Sequence, residues 1–343
     1  MAEHFDALLV LSFGGPERPE DVMPFLDNVT RGRGIPQERL LEVAQNYYRL
    51  GGVSPINQQC RALIAALRAE FDAHGLKLPI YWGNRNWHPF LAETMRRMSA
   101  DGVRRALVFV TSAYASYSAC RQYLEDLDNA KATVGGETPS FERLPHYCLL
   151  PGFVEPLIER VSDAFAQLPE ERRAGTRFLF TAHSIPLAMS QTSNYLGQLS
   201  DVARRVAEGI QHPEYRLVFQ SRSGPPHQPW LEPDVRDALR EEARAGVKDV
   251  VVAPIGFISD HMEVKFDLDT QARELAESLD LHMVRAATVG THPKFVAMIR
   301  ELVEQRLSGA SGPCPWPCTE TCCPVPAHAG RPTVRRRPPA LRP

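Results

Sequence analysis

The sequence predicts an α/β protein made of two similar doubly wound lobes, each built on a parallel sheet. Short runs of β-branched and aromatic residues alternate with longer helical patterns, as in βαβ units. Most positions in these runs are apolar, as expected for parallel strands that helices cover on both faces. In addition, residues 101–110 resemble residues 245–254, and each stretch follows a charged helical segment.

Six strands are predicted, three in each half of the chain. They cover Ala7–Ser12, Leu78–Trp82, Ala106–Thr111, Phe178–Ala182, Arg216–Gln220 and Val250–Pro254. The chain divides near residues 149–153, which gives a first lobe of residues 1–150 and a second lobe of residues 151–310. In parallel sheets of this kind the ligand binds outside the carboxyl ends of the strands. The loops that follow these strands are therefore the predicted site.

Composition and charge argue against several classes of protein. The formal net charge of −2 over 343 residues gives no general attraction for nucleic acid. No apolar run approaches the roughly 20 residues that cross a bilayer. Residues Met1–Asp6 lack the basic start of a signal peptide. The expected location is the cytoplasm.

The last segment, residues 311–343, differs from the lobes in composition. It is rich in Pro and Gly, ends in a basic stretch and contains too little apolar surface to order itself. We expect a solvated tail, with binding to an anionic surface as the alternative. Four of the seven cysteines lie in a single ten-residue stretch of this tail: Cys314, Cys318, Cys322 and Cys323. In a cytosolic chain such crowding favours metal or cluster ligation over disulfides.

Two strand-end loops carry side chains capable of chemistry. His183 follows the fourth predicted strand, and imidazole is a good ligand for divalent transition metals and a base near neutral pH. The loop after the sixth strand supplies Asp260, His261 and Glu263. Asp267 shares a helix face with Glu263. A structural histidine and an N-cap at residues 259–260 are the alternatives. Facing histidine and carboxylate groups could hold a divalent cation or accept protons.

Other loops favour an anionic, flat ligand. Arg31 and Arg33 alternate with glycines in a loop suited to carboxylates, although ordinary surface charge explains them equally well. Several tyrosines supply flat amphipathic surface. A dinucleotide fingerprint, a Walker A sequence and a Gly-x-Ser-x-Gly elbow are absent from the sequence. Cys60 and Cys120 lie in helical patterns, where inert burial is expected.

Seven motifs, in order, resemble the ferrochelatase family and most of all its actinobacterial coproporphyrin III branch. They are Leu11-Ser-Phe-Gly-Gly-Pro, Arg31-Gly-Arg, Gly51-Gly-Val-Ser-Pro, Gly83-Asn-Arg-Asn-Trp-His-Pro, Thr181-Ala-His-Ser-Ile-Pro, Gln220-Ser-Arg-Ser-Gly-Pro-Pro and Ser259-Asp-His-Met-Glu. The resemblance implies two Rossmann-like lobes around a porphyrin cleft and insertion of ferrous iron, the second substrate, in haem biosynthesis. Coproporphyrin III is the expected porphyrin. The alternatives are protoporphyrin IX, a chelatase for another metal and a non-catalytic haem carrier.

The resemblance also implies roles for particular residues. His183 and Glu263 match the catalytic and metal-binding pair, with His183 as the base for pyrrole protons or as an iron ligand. The residues expected to contact the macrocycle or its carboxylates are Arg31, Tyr47, Ser54 and Tyr123. Asp267 continues the line of carboxylates, which is shorter here because Gln271 occupies the next turn.

An iron–sulfur cluster is a further implication of the resemblance. Several ferrochelatases bind a [2Fe–2S] cluster through one mid-chain cysteine and three near the carboxyl end. By this resemblance the expected ligands are Cys148, Cys318, Cys322 and Cys323, with Cys314 as the alternative to Cys322. A zinc site or free thiols are the other interpretations. The expected partners are the porphyrin, ferrous iron and other enzymes of the haem pathway, without nucleic acid.

Overall fold

The computed structural model describes residues 4–32, 34–224, 227–310 and 322–325, and within them it has two four-stranded parallel sheets. The first contains β1 (Ala7–Ser12), β2 (Ile80–Asn84), β3 (Arg105–Val110) and β4 (Ser140–Arg143), and the second contains β5 (Arg177–His183), β6 (Tyr215–Gln220), β7 (Asp249–Ala253) and β8 (His282–Arg285). The strand orders are β2-β1-β3-β4 and β6-β5-β7-β8. The same order in both sheets confirms the predicted α/β fold with two similar halves.

Helices cover both faces of these sheets. They are α1 (Val22–Thr30), α2 (Gln37–Arg49), α3 (Ile56–Ala73), α4 (Leu91–Ala100), α5 (Arg121–Val134), α6 (Pro151–Ala166), α7 (Glu170–Arg173), α8 (Leu187–Gln191), α9 (Tyr195–Gly209), α10 (Val235–Arg244), α11 (Arg273–Ser278) and α12 (Pro293–Leu307). A π-helix spans Val264–Ala272 and runs directly into α11. No helix of the described ranges combines the length and apolarity that crossing a bilayer requires.

Two strands of the structure are missing from the sequence prediction. Both β4 and β8 have four residues and lie at the edges of their sheets. In β4 none of the side chains is buried, so this strand lacks the continuous apolar run by which the other strands were identified. The six predicted strands are all present, with ends that differ by two residues at most.

The two lobes share a hydrophobic core. The largest buried cluster includes Leu8 and Phe109 of the first sheet together with Phe180 of the second. The final helix, α12, packs against both α3 and α6, and Arg300 Nε donates to Glu70 Oε1 at 2.9 Å. A helix assigned by sequence to the second lobe thus packs against the first. The exact lobe boundaries stay a prediction.

The carboxyl ends of the two sheets face each other. Tyr114 follows β3, and its buried hydroxyl donates to the carbonyl of Ile255, which follows β7, at 2.8 Å. This contact brings the strand-end loops of one lobe against those of the other. The strand-end loops, which carry the predicted site residues, therefore lie where the two lobes meet.

Candidate metal and porphyrin site

His183 and Glu263 face each other at the carboxyl edge of the second sheet. His183 is the last residue of β5, and Glu263 stands directly before the π-helix. Nε2 of His183 lies 3.5 Å from Oε1 of Glu263, with 31% and 46% of the two side chains exposed. An accessible imidazole beside an accessible carboxylate can bind a divalent cation or transfer a proton.

Hydrogen bonds fix the orientation of this imidazole. Nδ1 of His183 lies 2.5 Å from the carbonyl oxygen of Ser184, so Nδ1 donates a proton there and Nε2 faces Glu263. The backbone carbonyl of His183 accepts from the hydroxyl of buried Tyr195 at 2.8 Å. On the opposing loop, Nδ1 of His261 accepts from the backbone N–H of Glu263 at 3.1 Å. Hydrogen bonds to neighbouring groups therefore orient both His183 and Glu263.

The charges of the pair stabilise each other. Burial lowers the pKa of His183, but the charge of Glu263 and the hydrogen bonds to Glu263 and Ser184 outweigh burial and raise it to about 9. Burial raises the pKa of Glu263, but the imidazolium outweighs burial and lowers it to about 2. At neutral pH the resting site therefore contains an imidazolium and a carboxylate.

Asp267 supplies a second carboxylate on the same side of the site. It lies on the π-helix one turn after Glu263, and the hydroxyl of Ser221 donates to its Oδ2. Gln220, paired in register with His183, donates from Nε2 to the carbonyl of Glu263 at 3.3 Å. Burial raises the pKa of Asp267 to about 6; the Ser221 hydrogen bond opposes this effect and Glu263 adds to it. Asp267 thus changes charge near the pH of the cell.

The first lobe supplies an exposed basic and aromatic surface. Arg31 is exposed directly after α1. The ring of Tyr47 packs against Phe25 at a centroid distance of 6.0 Å, and Phe13 is 37% exposed after β1. Burial raises the pKa of Tyr47, and the negative charge of Glu263 adds to this effect. Tyr47 therefore lies within electrostatic range of the metal pair.

Ser54 is placed by a close backbone approach. A Cβ atom on Gly15 would lie 2.7 Å from the Ser54 Cβ, so only glycine allows this spacing. The backbone N–H of Ser54 donates to the carbonyl of Pro16 at 2.8 Å. Ser54 is only 4% exposed. Arg33, the second arginine of its loop, lies outside the described residues.

Tyr123 lies beneath a buried arginine. It is 5% exposed, and the guanidinium of Arg85 stacks on its ring at 3.7 Å. The same guanidinium forms an ion pair with buried Asp126. Arg85 therefore covers one face of the Tyr123 ring. The contact of Tyr123 with a macrocycle stays a prediction.

The family is decided by comparison with known proteins. A family model described as Ferrochelatase matches residues 5–307. The chain belongs to the ferrochelatase family. A protein of Streptomyces coelicolor named coproporphyrin III ferrochelatase is 52% identical, with 97% of this chain and 96% of that protein covered. A ferrochelatase of Rhodopirellula baltica is 50% identical, with 93% of each chain covered. The chain is thus similar to ferrochelatases over nearly its whole length.

Solved structures support the same architecture. The chelatase SirB from Bacillus subtilis, solved with Fe3+, has a TM-score of 0.53 at 12% identity, with 89% of this chain and 97% of that chain covered. This likeness concerns the fold alone. Together with the family match, it makes the chain an enzyme of the ferrochelatase family on a two-lobed chelatase fold.

Three of the predicted cluster ligands lie among the described residues, and two of these three pack near a cysteine outside the predicted set. Cys148 is 2% exposed and belongs to the large shared core. Cys323 instead packs with Cys120, and Cys322 lies against the same small cluster. The other predicted tail ligands, Cys314 and Cys318, lie outside the described residues. Within the described ranges no group of three or more His, Cys, Asp or Glu side chains is arranged to hold a metal ion. The [2Fe–2S] prediction is not confirmed.

The two cysteines expected to be inert differ in their surroundings. Burial raises the pKa of the Cys60 thiol to about 11, as expected for an unreactive core cysteine. Sγ of Cys120 lies 3.2 Å from Nε2 of buried His146. Hydrogen bonds from Cys323 and His146 hold the pKa of Cys120 below its usual value, although burial opposes them. Inert burial therefore describes Cys60 but not Cys120.

Several residues of the site were not assigned a role from the sequence. Gln220 and Ser221 belong to a motif of the family resemblance, yet only the structure shows that they contact Glu263 and Asp267. A signal was present for Ser221, because the residue after a buried parallel strand points toward the ligand edge. Tyr195 had no such signal, since it lies in a helix and reaches His183 only through the tertiary fold.

Proposed function

We propose that this chain inserts Fe2+ into coproporphyrin III, with His183 and Glu263 as the residues that handle iron and pyrrole protons. The observation that carries the proposal is the accessible pair formed by Nε2 of His183 and Oε1 of Glu263, 3.5 Å apart in the cleft. Similarity to actinobacterial proteins named coproporphyrin III ferrochelatases supports the choice of porphyrin. Exposed Arg31 is the proposed partner of a propionate.

The proposed reaction exchanges two pyrrole protons for one ferrous ion. Glu263 and Asp267 provide negative charge for the incoming dication and lower the cost of removing its water. His183 is protonated at rest, because its pKa is about 9, so it cannot accept a proton until that proton leaves. Fe2+ next to Glu263 repels the imidazolium and lowers its pKa. The Nε2 proton of His183, whose side chain is 31% exposed, then passes to water. Nε2 accepts the two pyrrole protons in turn and releases each to water, while Nδ1 keeps its hydrogen bond to Ser184.

The remaining predicted porphyrin contacts fit this proposal to different degrees. Tyr47 packs against Phe25, and the charge of Glu263 adds to burial in raising its pKa, so Tyr47 lies near the metal pair, which supports an aromatic contact with the macrocycle. Ser54 and Tyr123 are both nearly fully buried. We assign Ser54 to the support of the Gly15 turn and Tyr123 to the support of Arg85.

Anaerobic metallation assays test the proposed function. Wild-type protein should insert Fe2+ into coproporphyrin III with kcat/KM at least about tenfold above that for protoporphyrin IX. His183→Ala should abolish insertion and still bind porphyrin, with an unchanged circular dichroism spectrum. A preference for protoporphyrin IX would contradict the substrate choice. Porphyrin binding without a rate above that in free solution would indicate a haem carrier, and faster insertion of Co2+ a chelatase for another metal.

We further propose that the cysteine-rich tail binds a [2Fe–2S] cluster, with Cys120 as a candidate mid-chain ligand in addition to Cys148. Support comes from the packing of Cys120 against Cys322 and Cys323, and from the hydrogen bond that Cys323 N–H donates to the Thr192 carbonyl at 3.1 Å. A complete set needs a further tail cysteine, either Cys314 or Cys318. When bound, such a cluster supplies a one-electron redox centre.

Matched serine variants separate the two mid-chain cysteines. Protein purified without oxygen from iron-replete cells should contain about two additional irons and two sulfides per chain. Loss of both in Cys120→Ser alone would assign Cys120 as the mid-chain ligand, and loss of both in Cys148→Ser alone would assign Cys148. Zinc without sulfide in the wild-type protein would contradict a cluster altogether.

A further inference from the structure

The segment 260–269 carries more carboxylates than the metal pair uses. It contains Asp260, Glu263, Asp267 and Asp269 within ten residues. Glu263 contacts His183, and Asp267 accepts from Ser221 near the same pair. Asp260 and Asp269 are turned toward the edge strand β8 instead. If all four carboxylates were available to a dication, they would bind it at several competing positions. The segment instead divides them into two pairs.

Arg285, the last residue of β8, makes that division. Its Nη1 and Nη2 donate to the two carboxylate oxygens of Asp260 at 3.2 and 3.0 Å. Its Nε and Nη2 donate to the two oxygens of Asp269 at 2.5 and 3.1 Å. The arginine side chain is only 11% exposed, and its pKa is raised: burial lowers it, but the charges of Asp260 and Asp269 outweigh burial. One guanidinium therefore binds both carboxylates, each through a pair of hydrogen bonds.

The contacts of Arg285 join the two ends of the iron-facing segment. Asp260 precedes Glu263 by three residues, and Asp269 follows Asp267 by two along the π-helix. Thr288 adds a hydrogen bond from Oγ1 to Asp260 at 3.3 Å. Because both ends are tied to one rigid strand, the direction in which Glu263 and Asp267 point is set by β8.

When the ion pairs of this segment are counted, two of its four carboxylates remain for a dication. Lys265 contacts Asp269 at 3.0 Å and Asp260 at 3.7 Å, so it shares the carboxylates that Arg285 holds. These two cations offset the charges of Asp260 and Asp269. The two remaining carboxylates, Glu263 and Asp267, match the double charge of one ferrous ion. A carboxylate that is paired and hydrogen-bonded competes weakly for a metal.

We propose that Arg285 is a positioning residue for iron: it holds Asp260 and Asp269 away from the ion and keeps Glu263 and Asp267 as a single divalent site. The proposal rests on the metal pair proposed above. It assigns no catalytic contact to Arg285, which lies behind the segment rather than in the cleft. Loss of its charge should therefore act on metal binding before it acts on the chemical step.

Two variants of Arg285 test this role. Arg285→Lys keeps one positive charge but cannot bind both carboxylates through paired hydrogen bonds, and Arg285→Gln removes the charge. The KM for Fe2+ should rise in the order wild type, lysine, glutamine, by about tenfold or more for glutamine, with kcat changed less than about threefold. Titration with Co2+ should give one bound ion in wild type and more than one in Arg285→Gln.

The control and the rescue distinguish positioning from a loss of stability. Arg216 holds Glu241 and Glu242 at 2.6 and 2.9 Å at the opposite end of the second sheet, so Arg216→Gln breaks a similar double pair away from the site. It should leave the KM for Fe2+ unchanged. The triple change Arg285→Gln, Asp260→Asn, Asp269→Asn should return the Co2+ stoichiometry to one and lower KM again.

The outcomes are separable from those of the proposed function. Absence of Fe2+ insertion in wild-type protein would reject the proposed metal pair itself. With active wild type, an unchanged KM in both Arg285 variants, or a triple variant that still binds extra Co2+, would overturn the role of Arg285. If Arg285→Gln does not fold, the lysine variant decides, because an unchanged KM there overturns the proposal and a raised KM with near-normal kcat supports it.

Discussion

Gln59 holds the backbone of Asp260 with both ends of its side-chain amide. Nε2 donates to the Asp260 carbonyl at 2.8 Å, and Oε1 accepts from the Asp260 N–H at 2.9 Å. Gln59 lies on α3 of the first lobe, and Asp260 begins the loop that carries Glu263. The two residues are 201 positions apart in the chain. The position of the loop that carries Glu263 is thus set partly from the other lobe.

Replacing Gln59 should loosen that loop. Gln59→Ala removes both hydrogen bonds from a partly buried backbone, and we expect a loss of about 1–3 kcal/mol in the free energy of unfolding. The KM for Fe2+ should rise while porphyrin affinity stays near its wild-type value. Gln59→Glu keeps the acceptor and loses the donor, so its effect should be intermediate. Denaturant titration and anaerobic kinetics measure both quantities. An alanine variant with wild-type stability would show that solvent replaces these bonds without cost.

Metal affinity should depend on pH in two steps. Asp267, with a pKa of about 6, and His183, with a pKa of about 9, must both lose protons before they can bind a cation. Co2+ affinity should therefore rise between pH 5 and 7 as Asp267 ionises, and rise again as the pH approaches 9. Asp267→Asn should remove the lower step only. Isothermal titration calorimetry with Co2+ measures the two steps, and a lower step that survives in this variant would contradict the assignment.

Folding stability should fall as the pH rises through the pKa values of both groups, in two different pH ranges. The pKa of His183 is raised above its usual 6.5, so its contribution is complete below that value and is lost as pH rises through about 9. The pKa of Asp267 is also raised, so its deprotonation between pH 3.8 and about 6 costs stability in the folded state. Asp267→Asn should therefore raise Tm at pH 7, by about 2–4 °C per kcal/mol recovered. A lower Tm at pH 7 would refute this prediction.

Gly15 should not tolerate a side chain. In Gly15→Ala the new Cβ would meet Ser54 Cβ at 2.7 Å and Ile56 Cγ2 at 2.8 Å, which pushes the turn before α3 outward. We expect a cost of about 1–3 kcal/mol and weaker porphyrin binding. Gly175→Ala is the matched control, because its Cβ would meet no atom within 4 Å. Thermal unfolding of the two variants decides, and equal Tm values would show that the Gly15 turn adjusts freely.

Arg31 should contribute to coproporphyrin binding through a propionate. Arg31→Ala should weaken binding by about 1.5–3 kcal/mol, the range for a hydrogen bond to a charged group. Arg39→Ala serves as control, since Arg39 is an exposed arginine that pairs with Glu42 at 2.7 Å. Porphyrin fluorescence titration gives both affinities. Equal affinity of the two variants would remove Arg31 from the porphyrin site.

The sequence predicts those features that depend on local pattern. Buried parallel strands have continuous apolar runs, so β1, β3, β5 and β7 were identifiable, and with them the loops that carry His183 and Glu263. The short edge strand β4 has no buried side chain and gave no such signal. The ends of buried strands can therefore be predicted from the sequence, and with them the loops of the candidate site. Short strands at the edge of a sheet cannot be predicted in this way.

Side-chain direction and long-range pairing could not be read from the sequence. Tyr123 is aromatic and near a strand-end loop, which made it a candidate for ligand contact. In the structure it instead packs with the buried ion pair of Arg85 and Asp126. A charged pair inside the protein needs such a stacked and hydrogen-bonded environment. The family resemblance indicated Cys148 as the partner of the tail, and the helical pattern around Cys120 indicated inert burial. Only the folded arrangement shows that Cys120 packs against Cys323, while Cys148 belongs to the large shared core.

The packing of α12 on α3 bears on how the chain is completed during synthesis. Leu63 and Leu67 of α3 belong to the shared core, which also contains Phe295 and Ile299 of α12. At roughly 5–20 residues per second, the ribosome delivers α12 about 8–30 s after the first lobe has emerged. During that interval the apolar face of α3 has no permanent cover. The first lobe expressed alone should therefore aggregate or recruit a chaperone, although its sheet is complete.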